Sequence, residues 1–171
     1  MNLEQAIKTA LEYEGKVYKT YLDATEQSTS GVGKRVFGAL AEEEKGHIQY
    51  LRERLEEWQK DGRITVAKLG TVVPSKKALD EGVEKLRAKV GGNPSGTHDA
   101  ELELLQKALQ VEVETGNFYK QMVRALDADG QKMFARFVEI EEGHQAIVQA
   151  EIDCVSGMGF WFDSREFSLE M

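Results

Sequence analysis

One motif occurs twice in this chain, as Glu44-Lys45-Gly46-His47 and as Glu141-Glu142-Gly143-His144. Residues three apart on a helix share a face, so each copy directs one carboxylate and one imidazole the same way. A single glutamate precedes each copy: Glu14 stands 33 residues before the first histidine, and Glu112 stands 32 residues before the second. Such a separation fits one helix, a turn and part of an antiparallel return helix.

The ligand-type residues interrupt apolar helical stripes. Glu14, for example, shares its face with Leu11, Tyr18 and Tyr21. Burying a lone carboxylate is costly unless it is paired, protonated or bound to a metal. Four such helices in a bundle would turn four carboxylates and two imidazoles toward one point. The pattern therefore predicts a two-metal site with six ligands: Glu14, Glu44, His47, Glu112, Glu141 and His144.

The two halves of the chain repeat each other in register. Glu14 and Tyr21 recur 98 residues later as Glu112 and Tyr119, and the two motif copies are 97 residues apart. Each tyrosine lies seven residues after its glutamate, on the same helical face. Tyr21 and Tyr119 are therefore candidates for groups that orient the ligands by hydrogen bonding. The equal alternative is that both are ordinary buried core tyrosines.

Periodicity and capping residues predict four long helices and one short one. Their expected bounds are about 2–27, 34–61, 99–126 and 131–155 for the long helices, and 76–90 for the short one. Asn2 is expected to cap the first helix and Gly62 to end the second. Residues 28–33 and 93–96 are expected to be loops, and 127–130 a turn. The 62–98 connection is too long for a tight turn, so we expect a crossover that leaves the second and third long helices parallel. We expect one domain over 1–156 and an aromatic tail over 157–171 that packs on the bundle or on a second subunit.

Composition excludes several classes of protein. The net charge of −8 argues against a nucleic-acid binder. Cys154 is the only cysteine, which rules out an internal disulfide and favours a buried apolar role. No stretch approaches the length of a membrane span, and the N-terminus lacks the features of a signal peptide. We therefore expect a soluble, cytoplasmic protein without a membrane partner.

The motifs resemble those of the rubrerythrin branch of the ferritin-like superfamily. The residues that carry the resemblance are Glu14 with Tyr21, Glu112 with Tyr119, and the two Glu-x-x-His copies. The resemblance implies a ferritin-like four-helix bundle, a homodimer, and a non-haem di-iron centre that reacts with peroxide or dioxygen. It also implies that Glu44 and Glu141 bridge the irons, while Glu14 and Glu112 are terminal ligands, each beside a histidine.

The chain departs from that family in two places. These 171 residues contain no Cys-x-x-Cys motif of the kind that a rubredoxin domain carries, so we expect the electrons of a reductase to come from an external donor such as a rubredoxin-type protein. Thr115 stands where the typical rubrerythrin has a further glutamate, three residues after Glu112. The ligand set is equally similar to that of bacterioferritin, but Lys45 replaces the haem-ligating methionine, so we expect no haem.

Three functional interpretations follow. The first is a di-iron oxidoreductase that reduces hydrogen peroxide, or oxidises Fe(II) with peroxide or dioxygen. The others are an iron-binding or storage protein without fast turnover, and a structural helical bundle. Mixed carboxylate and imidazole ligation suits two irons per site, although manganese or a mixed pair also fits. His98 is interpreted as a surface or capping residue. Glu151, near a helix end, and the run Arg52-Glu53-Arg54 are interpreted as surface groups, although Glu151 could also neighbour the ligands. The glutamates that flank the motifs are interpreted as solvated groups or as neighbours of the ligands: Glu42, Glu43, Glu139 and Glu142.

Overall fold

The computed structural model describes residues 1–71, 73–74, 76–90, 98–159 and 161–162. It contains five helices and, within these ranges, no strand, which confirms the all-α prediction. In chain order the helices are α1 (Leu3–Gln27), α2 (Gly31–Asp61), α3 (Lys76–Val90), α4 (Asp99–Ala125) and α5 (Ala128–Met158). The loop predicted at 93–96 and the tail beyond Phe162 lie outside the described residues.

The first helix begins where its capping sequence predicts. The Asn2 side chain accepts a hydrogen bond from the Gln5 backbone N–H at 2.9 Å, and the Gln5 side chain accepts one from the Asn2 N–H at 3.1 Å. This reciprocal capping box satisfies two of the N–H groups that a helix start leaves unpaired. At the end of the second helix, Gly62 follows α2 in the left-handed conformation with φ 65°, as its glycine predicts.

The predicted start of the second helix, at residue 34, was wrong. The helix begins three residues earlier, because Ser30 caps it and accepts a hydrogen bond from the Gly33 N–H at 3.1 Å. Glu101 of α4 supports the same turn, where its carboxylate accepts the Thr29 N–H at 2.7 Å. Gly33 lies in close packing, since an added Cβ would come within 2.9 Å of the Trp161 ring.

The bounds of the last helix also differ from the prediction of 131–155. Helix α5 begins at Ala128, inside the predicted 127–130 turn, and ends at Met158. Gly157 lies within the helix, and Gly159 ends it with φ 77°. A helix tolerates an interior glycine at modest cost when the residues around it pack well. Cys154 and Val155 are both buried within this last part of α5.

Close approach of the backbones shows how the helices pair. Helix α1 packs against α2 and α4, and α5 packs against α4 and α3. In the α1–α2 pair, Glu4 near the start of α1 accepts a hydrogen bond from Gln59 near the end of α2, and the far end of α1 accepts one from Lys34. Such pairing is that of antiparallel helices.

No described helix is long and apolar enough to cross a membrane.

Two apolar clusters lie on either side of the inward-facing glutamates and histidines. One contains Phe37, Leu105 and Ile147, and the other contains Leu51, Tyr119 and Phe134. Part of the aromatic tail belongs to the first cluster, because Trp161 meets the Phe37 ring edge-on with centroids 5.2 Å apart. The polar centre of the protein is therefore closed above and below by packed side chains.

Two predicted surface groups lie in the interior instead. Glu151 is fully buried, and one of its oxygens accepts the Phe162 backbone N–H at 3.3 Å. Arg54 is only 7% exposed, because it stacks on the Tyr50 ring and pairs with Glu57. Cys154 is fully buried, in agreement with its apolar interpretation. His98 is half-buried at the N-cap of α4 and makes no side-chain cap bond.

Candidate metal centre

Six ligand-type side chains from four helices meet in the interior. Helix α1 contributes one carboxylate and α4 another, while α2 and α5 each contribute a carboxylate and an imidazole one turn apart. None is more than 2% exposed. They are the six residues predicted from the motifs: Glu14, Glu44, His47, Glu112, Glu141 and His144.

The donor atoms of these six residues form two overlapping groups of four, and a third, smaller group joins Glu43 to the two histidines. Glu14 and His47 belong to the first group, Glu112 and His144 belong to the second, and the other two carboxylates belong to both. Within each group the donor atoms lie within 4.8 Å of one another, which is the spacing of ligands around one ion. Glu44 and Glu141 therefore occupy the position that a carboxylate needs in order to bridge two ions.

Both imidazoles point the same ring nitrogen at the carboxylates. His47 Nδ1 lies 3.1 Å from a Glu44 oxygen and 3.5 Å from a Glu14 oxygen. His144 Nδ1 lies 2.7 Å from the other Glu44 oxygen and 3.4 Å from Glu112. The two rings are nearly parallel, with centroids 5.4 Å apart. One Nδ1 atom therefore faces each donor group.

The tyrosines connect the two halves of the repeat. Tyr21 of α1 donates its hydroxyl hydrogen to Glu112 of α4, and Tyr119 of α4 donates to Glu14 of α1. Both tyrosines are fully buried. Each hydroxyl therefore holds the glutamate of the opposite half and not the one on its own helix. The two interpretations left open by the sequence both describe these residues, which are buried and also bonded to ligand-type carboxylates.

Burial and crowding of like charges set the protonation of the carboxylates. Burial, and then the charge of Glu44, raise the pKa of Glu14 to about 8. Burial, and then the neighbouring Glu112, raise the pKa of Glu141 well above its ordinary value. Burial also acts to raise the pKa of Glu44, but hydrogen bonding with Glu14 and the charges of both histidines hold it well below the ordinary value. At neutral pH the metal-free centre therefore keeps protons on some of its carboxylates.

The histidines carry protons in the metal-free centre. Burial alone would lower the pKa of His47, but the charges of Glu44 and Glu14 outweigh it and raise that pKa to about 10. The pKa of His144 is likewise raised well above its ordinary value, because Glu112 and Glu44 outweigh the effect of burial. An ion bound at Nδ1 would have to displace these protons.

The donor set fits a pair of metal ions. Buried polar atoms are normally hydrogen-bonded, yet several of these ligand-type atoms have no hydrogen-bond partner among the described residues. His144 Nδ1 is one of them, since its short contact with Glu44 does not have hydrogen-bond geometry. Both Glu141 oxygens are also without a partner. A bound cation would supply the missing partner to these oxygen and nitrogen atoms, which face one another.

Glu43 neighbours the ligands, which is one of the two interpretations that the sequence left open for it. It accepts a hydrogen bond from His144 Nε2 at 2.8 Å, although it lies on a different helix, and its side chain is 9% exposed. The other glutamates beside the motifs, Glu42, Glu139 and Glu142, are exposed, as their solvated interpretation expects. Glu43 was hard to find because the repeat does not contain it: the residue 97 positions later is Ile140.

Thr115 is buried beside the site but does not take part in it. Its hydroxyl donates to the Val111 backbone carbonyl at 2.8 Å, one turn back on the same helix. The threonine therefore donates its hydroxyl hydrogen within α4 and offers no carboxylate to the donor groups.

Comparisons with protein-family models, with curated proteins and with solved structures find no match to this chain.

Proposed function

We propose that this protein is a non-haem di-iron oxidoreductase that reduces hydrogen peroxide, or oxidises Fe(II) with peroxide or dioxygen. The observation that carries the proposal is the pair of four-donor groups sharing Glu44 and Glu141. Carboxylate and imidazole ligands in this ratio suit iron. The rubrerythrin-like motifs add support, because they belong to the same six residues.

The proposed architecture is a ferritin-like four-helix bundle with a crossover. Contacts of α1 with α4 join Tyr21 to Glu112 and Tyr119 to Glu14, as in antiparallel helices. Helix α1 is also antiparallel to α2, so α2 and α4 would run in the same direction. A connection over 62–98 that returns along the bundle is then required, and α3 packing on α5 is consistent with that path.

Charge balance supports two divalent ions and not one. Four ionised carboxylates carry four negative charges, which two divalent ions neutralise while both imidazoles are neutral. A single ion would leave two uncompensated charges in a centre whose ligands are at most 2% exposed. Uncompensated buried charge is strongly unfavourable, so either a second ion or retained protons must offset it.

The chemistry of the bound irons would be the supply of two electrons together, as the reductive cleavage of an O–O bond requires. The chain supplies position and protection. Glu44 and Glu141 would hold both ions at once, and the histidines would bind through Nδ1. Tyr119 holds one Glu14 oxygen through its hydroxyl, which leaves the other oxygen free for an ion. Re-reduction would need a separate electron donor.

An anaerobic Fe(II) titration of metal-free protein, followed by a pulse of hydrogen peroxide, tests the proposal. We expect binding to end at two irons per chain and ferric absorbance to develop within seconds of the pulse. Replacing Glu44 by alanine should remove both responses, whereas replacing the exposed Glu42 should remove neither. Failure to bind two irons would overturn the di-iron proposal.

Iron binding without fast turnover is the second candidate function. The observation that favours it is Thr115, whose hydroxyl is committed to its own helix where the resembling family has a further carboxylate. Two irons bound tightly, with ferric absorbance developing over many minutes after the peroxide pulse, would favour this candidate. The Thr115→Glu variant would then be expected to speed the reaction.

A further inference from the structure

The two donor groups differ in what stands behind each histidine. Glu43 accepts a hydrogen bond from His144 Nε2 at 2.8 Å. The Nε2 atom of His47 is buried and has no hydrogen-bond partner among the described residues. The halves of the repeat predict equivalent surroundings, yet the position that matches Glu43 is Ile140, which is 2% exposed and apolar. The pseudosymmetry of the six ligands is therefore broken immediately outside them.

Glu43 is itself held by the connection that follows α2. The Thr71 hydroxyl lies 2.8 Å and 3.1 Å from the two Glu43 oxygens and donates to that carboxylate. The segment before Thr71 is bonded to α2 and to α5, because the Ala67 carbonyl accepts a hydrogen bond from the Tyr50 hydroxyl and the Leu69 carbonyl accepts one from Arg136 Nε. The Glu43 carboxylate is thus held in place by hydrogen bonds from both Thr71 and His144.

We infer that Glu43 is a positioning residue that makes the two metal positions unequal, with the His144 position binding its ion more tightly than the His47 position. This inference rests on the proposed two-metal function. A carboxylate that accepts the Nε2 hydrogen fixes the tautomer whose lone pair is on Nδ1, and it makes the imidazole a stronger ligand. His144 Nδ1 already faces Glu44 and Glu112, so its ring needs no reorientation to bind.

His47 lacks that support, because a Glu43 oxygen lies within 4.8 Å of one of its ring nitrogens but forms no hydrogen bond with it. Its ring contacts Phe137 edge-on, with centroids 5.6 Å apart, and apolar contact does not select one tautomer over the other. Loss of a group that orients a metal-binding histidine typically costs 10- to 100-fold in metal affinity. The same range is the expected difference between the two positions. The ions should therefore bind in order, first at the His144 position and then at the His47 position.

Calorimetric titration of the metal-free protein with Co(II) tests the inference without any turnover. We expect two binding steps whose dissociation constants differ by about 10- to 100-fold. In the Glu43→Gln variant the tighter step should weaken by about that factor, so that the two steps merge. The matched control is Glu42→Gln, which alters an exposed neighbour on the same helix and should leave both steps unchanged.

A spectroscopic measurement separates positioning from a loss of structure. In the Zn(II)-loaded protein, nitrogen-15 shifts should show the His144 hydrogen on Nε2, and Glu43→Gln should move that resonance while leaving the His47 resonance in place. Two equal steps in the unaltered protein, or a tighter step that Glu43→Gln does not weaken, would overturn the inference and leave the two-metal site intact. No binding at all would overturn both proposals.

Discussion

Replacing Glu141 by glutamine separates the folding of this protein from its metal binding. The variant has nearly the same shape but removes a carboxylate that belongs to both donor groups. In the metal-free protein burial raises the pKa of Glu141 well above its ordinary value, which favours the neutral acid over the carboxylate. Its neutral replacement can donate to the surrounding carboxylates. The free energy of unfolding without metal should therefore change by no more than about 1 kcal/mol.

The metal-loaded proteins should differ far more. An ion present at 100 times its dissociation constant stabilises the folded state by about 2.7 kcal/mol, hence by about 5.4 kcal/mol for two sites. For a chain of this length each kcal/mol moves the melting temperature by about 2–4 °C, which predicts an increase of about 10–20 °C. If Glu141→Gln weakens both positions by 100-fold or more, the same ion concentration adds at most about 0.4 kcal/mol per site, or about 3 °C in all.

Differential scanning calorimetry with and without Mn(II), which does not react quickly with dioxygen, makes the comparison. Glu142→Gln is the matched control, because that neighbour is exposed and should keep the full increase. A Glu141→Gln variant that retained more than half of the increase would refute the assignment of Glu141 to both ions. A metal-free variant destabilised by several kcal/mol would refute the neutral state of Glu141.

Three further predictions concern protons, a tyrosine and a glycine. The pKa values of about 8 for Glu14 and about 10 for His47 mean that metal must displace protons at pH 7, so Mn(II) affinity should rise between pH 6 and pH 9. Calorimetry in buffers of different ionisation enthalpy should record that proton release, and a pH-independent affinity would contradict it. Tyr119→Phe removes the hydrogen-bond donor of a buried Glu14 oxygen and should cost about 1–3 kcal/mol in urea unfolding of the metal-free protein, more than Tyr50→Phe at a half-exposed site. Gly33→Ala would place its Cβ within 2.9 Å of Trp161 and should lower the free energy of unfolding by about 1–3 kcal/mol. Gly38→Ala meets nothing within 4 Å and should raise the free energy of unfolding by about 0.5–1 kcal/mol. Equal effects of the two substitutions would refute the packing argument.

The six ligand-type residues could be predicted because helical periodicity is local. Glu44 and His47 are three residues apart on one helix, so their shared direction follows from the sequence alone. The repeat then showed that Glu141 and His144 belong to the same arrangement. The partners of the tyrosines could not be predicted in this way. Tyr21 bonds Glu112 and not Glu14, and this exchange depends on how α1 packs against α4.

The errors arose where a contact joins distant parts of the chain. Residues 31–33 read as a glycine-rich loop, but Glu101 stabilises that helix start from more than 70 residues away. Glu151 read as a surface group near a helix end, but Phe162 returns over it and donates a backbone hydrogen bond. For Glu43 the sequence left two interpretations open, a solvated group or a neighbour of the ligands, because its partner, His144, lies 101 residues further on. No local pattern carries these pairings, since each depends on the packed fold.

The sharing of Glu44 and Glu141 has a consequence for how the molecule opens. The most extensive helix packing joins α1 to α2 and α4 to α5, followed by α1 to α4. Helix α2 meets α5 through long side chains, among them Glu44 with His144 and Tyr50 with Phe137. Ions bound by both shared carboxylates would therefore link α2 to α5. In the metal-free protein, the amide hydrogens of α2 and α5 where these helices face each other should exchange faster than the amide hydrogens of α1 and α4 where those helices pack together. Loss of the ions would thereby leave a hinge at the α1–α4 contact.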